Sequence, residues 1–275
     1  MKTALIQLNS GDDPIANMRT TSDLIDQAVA QGAGFVATPE VTNCLSVSRS
    51  RQQEVLTLEQ DDPTLAGLRG MAASHGIWLS IGSLALKTDD PDGRFANRSF
   101  LIDPKGQIVG RYDKIHMFDV DVSATESFRE SAAYRPGDRA VTAQTDFAKI
   151  GLSVCYDLRF AYLYRALAQA GAEVLLVPAA FSPVTGAAHW EPLLRARAIE
   201  TGCYVLAAAQ TGLHQTGEKS RKTYGHSMAI SPWGEVLTEL GTDPGIALVD
   251  IDRAEVSKSR KRIAALSHDR PFKGP

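Results

Sequence analysis

Lys149-Ile150-Gly151-Leu152-Ser153-Val154-Cys155-Tyr156-Asp157-Leu158-Arg159-Phe160, followed by Ala161 to Ala168, changes period in its middle. Up to Val154 it is a short apolar run of the kind a parallel sheet buries on both faces. From Phe160 onward Leu163, Tyr164, Leu167 and Ala168 return every three or four residues and trace one face of a helix. A buried strand that feeds a helix is the building unit of α/β folds, and functional groups in such folds gather at the carboxyl ends of strands. Cys155 stands at that junction, where helix amides and the helix dipole favour a thiolate and can stabilise an oxyanion. Position alone is weak support, because a cysteine after a strand is more often core packing. A thiol of ordinary pKa, about 8.5, is only a few per cent ionised at neutral pH, so a nucleophile also needs a base or a cation beside it.

The same alternation extends in both directions. Ala4 to Leu8 reads as a first strand, followed by a helix carrying Ile15, Met18, Ile25 and Val29 and ending near Gly32. Phe35 to Thr38 reads as a buried strand whose carboxyl end delivers Pro39 and Glu40. A helix over Thr64 to Ser74 precedes strands at Trp78 to Ser83 and Arg98 to Ile102; the turn Asp103-Pro104-Lys105-Gly106 then sends Gln107 to Tyr112 toward Lys114. Strands at Val174 to Val177 and Tyr204 to Ala209 flank a helix over His189 to Glu200, and His226 to Ile230, Val236 to Leu240 and Ile246 to Val249 form a closing meander. No linker, repeat or low-complexity tract divides the chain, so residues 1–275 are expected to form one α/β domain.

Composition limits what the chain can do. Hydrophobic residues make up 44% and charged residues 22%, enough for a sizeable core. A net charge of -3 gives no footprint for nucleic acid or anionic lipid, and the basic run Lys258 to Arg262 reads as a solvated helix face. The opening apolar stretch, Ala4 to Leu8, is too short for a signal peptide or membrane span, so a cytoplasmic protein is expected. Cys44, Cys155 and Cys203 lie far apart with no CxxC pair, which fits free thiols better than a disulfide framework or a zinc site. Asp90-Pro91-Asp92-Gly93 reads as a surface turn, since the ligand spacing of a calcium loop is missing.

The segment Gly151 to Phe160 resembles the nucleophile signature of the nitrilase superfamily of carbon–nitrogen hydrolases. Ala37-Thr38-Pro39-Glu40 and Arg111-Tyr112-Asp113-Lys114-Ile115-His116 resemble the segments that carry its base and its lysine, in the required order. Thr38 departs from the leucine common there, a change expected to alter packing more than chemistry. Glu130-Ser131 is similar to the context of a second glutamate; that context and the spacing from Lys114 favour Glu130 over Glu126, with a solvated acidic loop as the alternative. Pro178 to Phe181, Thr185 to Glu191, Leu194 to Glu200, Tyr224 to Ser227 and Pro232 to Glu235 extend the resemblance through the chain, closest to the Nit branch.

The resemblance implies a four-layer αββα sandwich, usually dimerised or further oligomerised, and a hydrolase with Cys155 as nucleophile, Glu40 as base, Lys114 beside the oxyanion and Glu130 in support. It implies a small-molecule keto-acid amide as substrate, deaminated glutathione first, with α-ketoglutaramate or an N-carbamoyl amino acid as alternatives, and calls for neither metal nor organic cofactor. The amide of Tyr156 is the expected second oxyanion donor, and Glu40 is expected to be enclosed so that its pKa can rise. Arg159 is the nearest guanidinium for a substrate carboxylate, with an ion pair to Asp157 or Glu200 as its structural alternative. Phe181 and Thr185 are pocket candidates through the segment they occupy. Competing readings are a Cys-His site using His116, His189 or His226, a metal site built on His116, Asp119 and Asp121, and a non-catalytic module that kept the fold.

Overall fold

A computed structural model describes residues 1–122, 127–217 and 219–274. In chain order the elements are β1 (Lys2–Gln7), α1 (Pro14–Ala30), β2 (Phe35–Ala37), α2 (Arg49–Val55), α3 (Pro63–His75), β3 (Trp78–Leu86), β4 (Ala96–Ile102), β5 (Ile108–Asp113), β6 (Asp119–Asp121) and β7 (Ser127–Arg129). They continue with β8 (Val141–Gln144), β9 (Lys149–Leu152), α4 (Ala161–Gln169), β10 (Val174–Leu176), α5 (Pro183–Thr201), β11 (Tyr204–Ala207), β12 (Thr211–Thr216) and β13 (Lys219–Tyr224). The series closes with β14 (Met228–Ile230), β15 (Val236–Glu239), β16 (Gly245–Asp250) and α6 (Arg253–Arg262).

Two six-stranded sheets carry the molecule, ordered β16-β1-β2-β3-β4-β5 and β15-β14-β11-β10-β9-β8. Each has three parallel strands at its centre, β1-β2-β3 and β9-β10-β11, flanked by antiparallel strands. Side-chain alternation sorts the layers: Ala4, Ile6, Leu79 and Ile81 pack with Ile25, Leu65 and Leu68 of α1 and α3, whereas Leu5, Phe35 and Leu101 face the other sheet and meet Leu152, Val154 and Leu176. Helices α4 and α5 cover the outer face of the second sheet through Leu163, Leu167, Trp190 and Leu194. The layers are therefore α, β, β, α, as the resemblance implies.

Helix α1 buries Asn17, Thr21, Ile25 and Ala28; Ile15, one of the four periodic apolar positions, is exposed in the first turn, where the capping side chain of Asp13 accepts from its amide. Helix α5 starts six residues earlier than expected, at Pro183, a residue well suited to a first helical turn. Helix α6 holds the basic run, and Arg260 reaches back from it to the carbonyls of Ala172 and Thr201. Among the described residues no helix is long and apolar enough to cross a membrane.

Candidate active site

Strand β2 is buried along its length and ends at Ala37, and the chain then crosses to Glu40, which is only 4% exposed. A bulge in β3 makes room for this crossing. Gly82 sits in it, and a Cβ there would lie 2.1 Å from the Thr38 carbonyl oxygen and 2.5 Å from both the Pro39 carbonyl oxygen and Pro178 Cβ. The Gly82 N–H, displaced from the ladder, donates to Thr38 Oγ1 at 3.1 Å. Thr38, the departure noted in the sequence, thus satisfies a buried donor that leucine could not.

Lys114 follows edge strand β5 and is 2% exposed. Its ammonium donates to Glu40 Oε1 at 2.9 Å and to Glu130 Oε1 and Oε2 at 2.9 and 2.8 Å. Asn97, from β4, donates to Glu40 Oε1 at 2.8 Å, and the amide of Ala180 donates to Glu40 Oε2 at 2.8 Å. Glu130 Oε2 also accepts from the amide of Phe118. Burial would raise the Glu40 carboxyl, but the bonded ammonium of Lys114 outweighs it and holds the carboxyl below its usual range. The expected enclosure is present; the expected upward shift is reversed in the resting protein. Lys114 is likewise desolvated, yet the Glu130 and Glu40 carboxylates drive its pKa well up.

Cys155 follows β9 and opens a single 3₁₀ turn, Cys155–Arg159, ahead of α4. Its φ of 50° is unusual for a non-glycine residue, and its amide donates to the carbonyl of Pro178 at 2.8 Å. Burial, and next the Glu40 carboxylate, push the thiol up, so it rests protonated against Glu40. The helix-dipole thiolate expected from the sequence is overridden by this desolvation. Asp157, fully buried, pins the turn: Oδ2 accepts from the Val154 amide and the Tyr112 hydroxyl, and Oδ1 accepts from the His116 amide and lies 2.6 Å from His116 Nδ1. One carboxylate therefore ties the cysteine turn to the segment that bears Lys114.

Glu40, Asn97, Lys114, Glu130 and Cys155 form the floor of a cavity of about 390 Å³ whose wall also includes Tyr156, Phe181 and Thr185. Arg159 is not in that wall. It lies behind Tyr156 and Phe181, 5.8 and 5.4 Å from their ring centres, and gives Nη1 to His189. Neither ion pair suggested for it forms, because Asp157 is filled as described and Glu200 accepts from Arg197. Glu126 lies outside the described residues. The side chains named in the competing readings diverge: His116 is held by Asp157 and Tyr162, His189 meets Arg159, His226 meets Glu239, Asp119 takes the Ser131 amide and Asp121 pairs with Arg129.

Sequence reasoning missed Asn97, Asp157 as a clamp, and Arg221, which enters the wall from β13. An asparagine inside a buried strand is a usable signal, since strands disfavour it. Arg221 gave none, being one of several basic residues in a polar stretch. Cys44 and Cys203 are buried, and burial pushes the Cys44 thiol up to about 12, in keeping with the packing role read for them.

The chain matches the carbon-nitrogen hydrolase family over residues 2–261. It is 39% identical over 272 residues to a deaminated glutathione amidase of Yersinia enterocolitica, covering 97% of this chain and 92% of that one. Among solved structures it resembles the NitFhit protein of C. elegans, with a TM-score of 0.91 and 34% identity; the match covers 98% of this chain but spans 65% of that longer one. It also resembles an amidase from Nesterenkonia, with a TM-score of 0.77 and 28% identity over 96% of this chain and 98% of that one, in a structure showing Michael addition of acrylamide at the active site cysteine.

Proposed function

The chain belongs to the carbon-nitrogen hydrolase family and is an amidase, and from that premise we propose that Cys155, Glu40 and Lys114 hydrolyse a keto-acid amide, deaminated glutathione, to 2-oxoglutarate and Cys-Gly. The observation that carries the proposal is the buried cluster in which the Cys155 thiol rests on a Glu40 carboxylate that Lys114 holds in its basic form. Glu40 takes the thiol proton as Sγ bonds to the amide carbon. The resulting oxyanion faces the Lys114 ammonium and the amide of Tyr156, one such donor being worth about 3 kcal/mol. The C–N bond breaks as Glu40 returns its proton to the leaving amine. Water then adds to the thioester with Glu40 again accepting a proton, and the C–S bond breaks to give the acid and the thiol. Glu130 keeps Lys114 in place through two hydrogen bonds.

A cavity of about 390 Å³ supports a substrate with a dipeptide leaving group, as it falls within the range of about 300–1,000 Å³ usual for small-molecule sites. We take residues 1–275 as one catalytic unit, a view supported by the extent of the family match and the core shared by the two sheets. Unpaired thiols support a cytoplasmic setting. We take the protein to be a homodimer, which light scattering on the purified protein would test; exposed Tyr162, Val184 and Ile199 on the outer helices are the residues such a contact would cover.

The deciding experiment measures 2-oxoglutarate release from deaminated glutathione and α-ketoglutaramate in parallel, with Cys155→Ala as control. The expected result is a higher kcat/KM for deaminated glutathione and no turnover by the variant. Preference for α-ketoglutaramate would make the protein an ω-amidase, and wild-type rates in Cys155→Ala would sink the mechanism.

A further inference from the structure

Four basic side chains stand in the cavity wall: Lys114, Arg49, Arg129 and Arg221. Three are committed to the protein. Lys114 is shared by Glu40 and Glu130. Arg49 donates to the carbonyls of Ala133 and Gly93 and lies over the Phe95 ring. Arg129 donates to the carbonyls of Val120 and Phe128 and pairs with Asp121. Arg221 gives Nη2 to the carbonyl of Ala180, and among the described residues it has no carboxylate partner. Among the described residues its Nε is buried without an acceptor. A buried, charged donor left unmade is costly, and such groups call for a partner.

The position of Arg221 tells what that partner is. Ala180, whose carbonyl it holds, gives its amide to Glu40, so the guanidinium is one peptide unit from the reactive set, and its charge helps keep the Glu40 carboxyl low. Phe128 supports the guanidinium, its ring centre 5.3 Å away. Glu40, Glu130 and Lys114 together leave an excess of negative charge on the cavity floor, which guanidinium groups of the wall offset; Arg49 spends both its Nη groups on carbonyls, whereas Arg221 keeps a buried donor to give. Arg159 stands outside the wall. We propose that Arg221 reads a carboxylate carried by the amide substrate, its planar fork of N–H groups closing on the two oxygens. The identity of that substrate rests on the amidase reading given above; the carboxylate site itself does not require turnover.

Binding separates the two. Calorimetric titration of deaminated glutathione and of α-ketoglutaramate into the inert Cys155→Ala protein is compared with the same titrations into Cys155→Ala carrying Arg221→Gln or Arg221→Lys. The expected result is a Kd roughly ten- to a hundred-fold weaker for the Gln variant, with Lys between, since it keeps the charge and loses the fork. Weakening for deaminated glutathione alone assigns Arg221 to the carboxylate of the leaving dipeptide; weakening for both assigns it to the acyl carboxylate. An unchanged Kd for both ligands overturns the proposal, as does absence of binding to the parent protein; should the Gln variant not fold, an unchanged Kd in the Lys variant overturns it equally. Wild-type turnover of the same ligands reads the reaction independently: Arg221-dependent binding without turnover retires the amidase reading on these substrates and keeps the carboxylate site, and turnover with Arg221-independent binding does the reverse.

Discussion

Glu40 and Cys155 divide one proton unequally: the carboxyl is held low by Lys114 and the thiol is pushed up by burial, so the resting pair is carboxylate and thiol. The base is then in its working form well below neutral pH, and no gain in thiolate accompanies a rise through the usual cysteine range. We predict a level kcat/KM from about pH 6 to about pH 9; a limb rising through pH 8 to 9 would mean a free thiolate nucleophile instead. Lys114→Ala leaves the buried Glu40 carboxylate and the half-buried Glu130 carboxylate facing each other without that cation. Its expected cost is about 3–5 kcal/mol of stability in urea titration as well as loss of turnover, so a fully stable, inactive variant would contradict the pairing described here. That Glu40, Lys114 and Cys155 form a candidate set, which the structure brings together in one cavity, was legible in the sequence because each follows a recognisable strand inside a distinctive motif. Asn97 and Arg221 were not, because what matters about them is where neighbouring strands bring them, and the polar stretch around Arg221 offers no local pattern.

The elements around the site are held by a few polar groups that packing alone could not replace. Asp157 accepts from donors on both sides of the cysteine turn. Asp157→Asn turns an amide donor toward one of those pairs, and we predict a stability loss of about 2–4 kcal/mol with kcat falling far more than KM rises, because Cys155 shifts while the cavity walls stay. Unchanged kcat would show that the turn is positioned by something else. Thr38→Val removes the acceptor of the Gly82 amide and is expected to cost about 1–3 kcal/mol in the same titration. The central strands and α1, α3 and α4 were readable because each has an apolar period. The hairpin β12–β13 escaped because its inward positions are Thr211, His214, Thr216 and Thr223, and α2 escaped because Gln52 is its one buried side chain. A period of hydrophobicity cannot announce an element that buries polar groups.

For the molecule as a whole, that same hairpin brings a pH dependence. His214 is 2% exposed, with Nδ1 2.7 Å from the Ser10 carbonyl oxygen and Nε2 2.7 Å from Thr223 Oγ1, and burial lowers its pKa from 6.5 to about 4. Between those values the unfolded chain binds a proton that the folded one refuses, so stability is full above pH 6.5 and falls as pH drops toward 4, by about 3 kcal/mol in total. In His214→Gln the loss of unfolding free energy between pH 7 and pH 4.5 should shrink by most of that amount; an equal loss in both proteins would clear the imidazole of the effect. The αββα layering was legible from alternation of strands and helices, whereas which strand ends meet across the layers is a property of the closed structure. Glu40 follows a strand of the first sheet and Cys155 one of the second, so in the proposed mechanism every turnover passes a proton across the seam between two separately built walls. The sheets act as the two jaws of a calliper: a core substitution far from the cavity that lets one slide on the other, or hydrostatic pressure that squeezes the gap, resets the reach of base to nucleophile, and catalysis registers the slip before unfolding does.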